Sequence, residues 1–159
     1  LLMQQAHIST DDRVTTVAAK KRALETNEEC SAIQLSDGTM ITAGSSVLLG
    51  TCASLLLNAL KHLAGIDHSV KLISQDFIEP IQKTKVDYLG GNNPRLHMDE
   101  VLVALSVLSL NDVNCRRALA MLPELNGLQA HATVMLSQVD QKIMKKLGIL
   151  LTCDPAAKK

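Results

Sequence analysis

Residues 129–153 read QAHATVMLSQVDQKIMKKLGILLTC, and this stretch decides the fold. From Ala130 to Leu136 apolar and polar side chains alternate, with His131 and Thr133 on one face, as in a half-buried strand. Ser137 can cap an amphipathic helix over residues 137–147, and Gly148 stops it. Residues 149–153 form a second strand, ended by Pro155. Upstream, residues 31–35 and 39–43 flank Ser36-Asp37-Gly38, and an Asp-Gly turn between alternating segments predicts a hairpin. Leucines at helical spacing predict a buried helix over residues 46–64, with Gly65 as its stop. Residues 70–73 suggest a further strand, and a helix over 79–89 accepts Pro80 in its first turn. Residues 90–94, Gly-Gly-Asn-Asn-Pro, make the clearest loop in the chain. Helices over 98–110 and 112–122 follow. An opening helix, capped within Ser9-Thr10-Asp11-Asp12, should run to about residue 25.

This order predicts an α/β fold: three α/β/α layers around a mixed five-stranded sheet that opens with a β-hairpin. Residues 10–155 would make one domain, after a disordered or linker lead-in over 1–9 and before a tail at 156–159. A chain of 159 residues is long enough for one core without disulfides or metal. Sixteen basic and sixteen acidic side chains cancel, which removes the broad electrostatic footprint of a non-specific nucleic-acid binder. Phe77 and Tyr88 are the only aromatic rings of their kind, too few to stack bases. No nucleic-acid partner is expected. Neither of the longest apolar runs, 47–57 and 101–110, reaches the roughly 18–20 residues that span a bilayer, so no membrane partner is expected either. Cys30, Cys52, Cys115 and Cys153 are widely spaced, which suits reduced, buried thiols and a cytosolic protein.

The polar residues are densest at 90–100, GGNNPRLHMDE. Asn93, Arg95, His97, Asp99 and Glu100 stand where a flexible loop meets a helix N-terminus. Such an end can hold an anion through free N–H groups, with Arg95 as a bidentate fork and His97 as an acid or base. The bland alternative is that Asp99 and Glu100 answer the helix dipole and Arg95 pairs with one of them. His131 is a second candidate, since ligands of open α/β sheets gather beyond strand C-termini. A hydrogen-bonded structural histidine is the better reading there. Cys52 reads as a small core residue, His62 and His68 as solvated, and Lys83 and Lys85 as scattered surface cations. No motif for nucleotide, nucleophilic or zinc chemistry is complete, so no cofactor and no metal is expected.

Four blocks, LLLNALKHLAGI (55–66), KLISQDFIEPIQ (71–82), YLGGNNPRLHMDEVLVALS (88–106) and HATVMLSQVDQKIMKKLGILLTCDP (131–155), resemble in this order uncharacterised protein family 0371. These are mostly bacterial multi-domain proteins without an established activity, and the likeness runs from about residue 11 onward. The resemblance implies the C-terminal domain of a longer protein, with a functional loop at Asn93, Pro94, Arg95, His97, Asp99 and Glu100. It also implies a cytidine-deaminase-like topology. Zinc deaminases place a Glu early in the helix after the hairpin and a later Pro-Cys-x-x-Cys. Here Thr51-Cys52-Ala53-Ser54 has Ser instead, and Pro80 lacks a cysteine pair, so that chemistry is disfavoured. Two functions remain. The first is an assembly or interdomain module that packs on the N-terminal domain or forms a homo-oligomer. The second is part of an enzyme site for a nucleotide or phosphometabolite around Arg95 and His97, with an anionic small molecule as partner.

Overall fold

A computed structural model describes residues 13–155. The expected lead-in over 1–9, the cap at 9–12 and the tail at 156–159 lie outside them. Helix α1 (Val14–Thr26) ends on Asn27 in the left-handed conformation. Strands β1 (Cys30–Gln34) and β2 (Met40–Gly44) follow as the predicted hairpin. Its turn is set by residue type: Gly38 holds φ at 91°, and Asp37 accepts the Thr39 N–H at 2.9 Å.

Helix α2 (Thr51–Leu63) starts five residues later than the spacing predicts. Residues 46–50 are otherwise engaged. Ser46 Oγ accepts the N–H groups of Leu48 and Leu49, and Leu48 and Gly50 exchange backbone bonds with Leu96. After it come α3 (Gln75–Lys83), a π-turn at Thr84–Tyr88, α4 (Met98–Leu108), α5 (Val113–Leu119) and a 3-10 turn at Leu122–Leu125. Ser74 caps α3 through the Phe77 N–H, so this helix begins before Pro80 rather than at it. Strand β3 (Gln129–Ala132), α6 (Gln138–Lys146) and β4 (Leu150–Cys153) complete the chain.

The described sheet has four strands in the order β2-β1-β3-β4, not five. β1 runs antiparallel to both its neighbours, and β3 and β4 are parallel. The expected strand at 70–73 is irregular because side chains, not a neighbouring strand, occupy its carbonyls. Lys61 Nζ donates to Val70 O at 3.0 Å, and the Cys115 thiol donates to Leu72 O at 3.1 Å. Leu72 and Ile73 still plug the core. β3 ends at Ala132, short of the predicted residue 136, because its partner runs out: Ala132 pairs with Ser31, next to the first residue of β1.

Helices cover both faces of this sheet. On one face α1 alone lies close, burying only small residues, Thr15, Thr16 and Ala19. On the other, Ser31 Oγ meets Thr51 Oγ1 at 2.8 Å and fixes α2, on which α4 and α5 pack; α6 packs on α4. The leucines of α2 fill the space between, with Leu55 and Leu60 almost wholly buried. Each such side chain contributes roughly 1.5–3 kcal/mol of transfer free energy.

Candidate functional site

The N-terminal end of α4 gathers most of the sequence candidates, organised by a residue the sequence reading had set aside. Lys85, from the π-turn, reaches across with its ammonium 2.6 Å from Arg95 O, 3.2 Å from His97 Nδ1 and 2.7 Å from Glu100 Oε1. Its side chain is only 15% exposed, so it is no scattered surface cation. A lysine one turn beyond a proline carries no periodic signal for this role. Only the fold brings it opposite residues ten to fifteen positions later.

The N–H groups that might have met an anion are engaged. Glu100 accepts the His97 N–H at 2.8 Å, Asp140 accepts the Met98 N–H at 3.0 Å, and Asp99 accepts the Glu100 N–H at 2.8 Å. Three carboxylates therefore answer the positive end of the helix dipole. Burial works against the charge on Glu100, but the His97 N–H and Lys85 outweigh it and hold the carboxyl below its usual range. Asp140 is deeper, and there burial prevails and raises it despite the Met98 N–H. Asn93 only shapes the loop, its Oδ1 accepting the Arg95 N–H at 3.0 Å. Arg95 pairs with neither Asp99 nor Glu100, and its guanidinium has no hydrogen bond or ion pair among the described residues.

His131 lies far from this cluster in the fold, on the α1 face of the sheet. Arg13 Nη1 donates to Thr152 Oγ1 at 2.9 Å, Thr152 Oγ1 lies 2.7 Å from His131 Nδ1, and His131 Nε2 lies 3.0 Å from Asp154 Oδ1. With Oγ1 accepting from the guanidinium, its own proton is free for Nδ1. The imidazole is then neutral and carries its proton on Nε2, toward the carboxylate. Burial lowers the His131 pKa, and the Asp154 bond offsets this only in part. The ring is 1% exposed and both nitrogens are satisfied, as a structural histidine requires. This chain ties α1 to β3 and β4.

Cys52 sits in the core, where burial pushes its thiol far up. Among the described residues no three His, Cys, Asp or Glu side chains come together to hold a metal ion. None of their helices is long and apolar enough to cross a membrane.

The fold and its closed polar clusters thus define a mixed α/β unit without a complete catalytic set among the described residues. Residues 11–159 match the family model described as the domain of unknown function DUF1846, C-terminal, and the chain belongs to that family. It is similar to UPF0371 proteins of Corynebacterium aurimucosum (51% identical over 98% of this chain and 31% of the relative) and Streptococcus thermophilus (43%, over the same shares). The Corynebacterium diphtheriae relative is 46% identical over 100% of this chain and 32% of its own length. The chain thus spans about a third of the curated relatives it matches.

Proposed function

We propose that this chain is an assembly or interdomain module, and that the groove between α3 and α4 is the surface it presents to the rest of a full-length family protein. One observation carries this reading. Phe77 and Ile81 of α3 and Val103, Ala104 and Val107 of α4 line an apolar cavity of about 370 Å³. Val103 is 66% exposed, and Ile81 and Glu100 continue the groove into a second cavity of about 290 Å³ beside Leu89. A contiguous apolar surface rimmed by charge is what a protein contact leaves when its partner is away. Relatives roughly three times as long supply chain to cover it. The four thiols, free throughout, support a reducing compartment such as the cytosol. The opening helix, hairpin and helix, followed by a strand–helix–strand unit, support a cytidine-deaminase-like reading of the topology with one strand fewer.

The test uses a full-length relative with glutamate at the positions matching Val103 and Val107. Limited proteolysis should then separate the matched third from the rest faster than in the parent, with the third itself intact. Unchanged cleavage, together with a strictly monomeric 159-residue chain, would count against the module reading.

A second reading keeps Arg95 and His97 as part of an enzyme site for a nucleotide or phosphometabolite, completed by the rest of a longer protein. The unpartnered Arg95 guanidinium supports it. If Arg95→Ala leaves ligand-induced thermal shifts unchanged across a nucleotide and sugar-phosphate panel, this reading fails.

A further inference from the structure

We propose that the recess beyond the open edge of β2 binds a small phosphate-bearing anion, held by Arg22 and Lys61. β2 ends the described sheet, and beyond it lies a cavity of about 260 Å³. Its polar lining is Arg22 from α1, Thr42 from β2, Asn58, Lys61 and His62 from α2, and His68 from the loop that follows. All four ionisable groups in that lining are basic, and no carboxylate joins them among the described residues. The two nearest carboxyls act on them only through space and are tied to their own turns. Asp37 accepts the Thr39 N–H, and Asp67 accepts from both the N–H and the hydroxyl of Ser69.

Both permanent cations are withdrawn from water without a counter-ion. Lys61 is 8% exposed and donates to His68 O and Val70 O at 2.9 and 3.0 Å, which leaves one of its three N–H groups unassigned. Arg22 gives Nη1 to Thr42 Oγ1 at 2.8 Å, while its Nε is buried with no acceptor. Burial accordingly lowers the Lys61 pKa. Buried charges in proteins are normally paired, and a buried donor without an acceptor costs roughly 1–3 kcal/mol. A tetrahedral oxyanion answers both deficits at once, offering several acceptor oxygens and the missing negative charge. His62 and His68, exposed at the mouth, add two further ring donors. The cavity falls just below the roughly 300 Å³ at which drug-sized pockets begin, so it suits inorganic phosphate or a small phosphate monoester rather than a whole nucleotide.

Titration calorimetry of the 159-residue chain with inorganic phosphate, and separately with glycerol 3-phosphate, tests this. One-site binding is expected for at least one of them, weakened about tenfold or more by Arg22→Gln and by Lys61→Met. The double variant His62→Gln/His68→Gln, which changes only exposed side chains, should weaken it by a smaller factor, so the test survives if Lys61→Met does not fold. Tighter binding of the ester assigns the site to phosphate monoesters, and equal binding assigns it to the phosphate group alone. Arg95→Gln should leave the isotherm unchanged. No saturable heat with either compound overturns the proposal. So does binding that Arg22→Gln and the double histidine variant leave intact, or binding lost only in Arg95→Gln.

Discussion

The two halves of α4 differ in a way that inverts first expectations. Its N-terminal end is the most polar place in the sequence, yet there Lys85, His97, Glu100 and Asp140 satisfy one another and the helix N–H groups. Its later outward face is plain valine and alanine, and that face is left uncovered, with Val103 and Val107 over half exposed. Polar density marked a closed structural device. Apolar exposure marks the surface with unfinished contacts. A charge cluster tells little about function until its partners are counted.

This contrast can be broken or sharpened by substitution, in order of expected effect. Lys85→Met removes a charge-assisted bond to Glu100 and bonds to Arg95 O and His97, and should destabilise the chain by about 3 kcal/mol in urea melts. A loss under about 0.5 kcal/mol would return Lys85 to the surface cations and reopen the α4 end as a ligand site. Asp140→Ala strips the buried Met98 N–H of its acceptor and should cost about 2 kcal/mol. Asp140→Asn keeps an acceptor without a buried charge, so it should cost clearly less. Equal losses would mean that the charge, not the hydrogen bond, matters.

The third prediction concerns His131, whose folded pKa lies below its ordinary value near 6.5. The unfolded chain takes up that proton first as pH falls. The stability that neutral His131 contributes is therefore complete above about pH 6.5 and is lost as pH drops through that value toward the lowered folded pKa. Urea melts between about pH 7.5 and 5.5 should show a steeper loss for the parent than for His131→Gln. Parallel curves would contradict the neutral-imidazole account. The smallest effect belongs to the outer face of α4. Val103→Ser and Val107→Ser should each shift stability by no more than about 0.5 kcal/mol, since neither side chain is enclosed.

Much of the fold was legible because local chemistry wrote it. Asp37-Gly38 named the hairpin, the leucine spacing named α2, and Ser137 and Gly148 bracketed α6. Gly148 was also required for space, since a Cβ there would overlap Asn126. The failures came where distant side chains overrode local preference. Residues 70–73 have strand composition, but Lys61 and Cys115 take their carbonyls. Ser46 and the Leu96 backbone hold residues 46–50 out of the helix that their leucines suggested. At the candidate site the residues were legible and their pairing was not. His131 was read correctly as structural, yet its partners Thr152, Asp154 and Arg13 come from three other places in the chain. Lys85 was missed for the same reason.

The most direct test of the module account is amide hydrogen exchange on a full-length family member, compared with its own matched third prepared alone. The account predicts that the segments matching residues 75–89 and 98–110 exchange at least about tenfold more slowly in the full-length protein, while the segments matching β1 and β3 are unchanged. Equal exchange over the α3–α4 segments in both would contradict it.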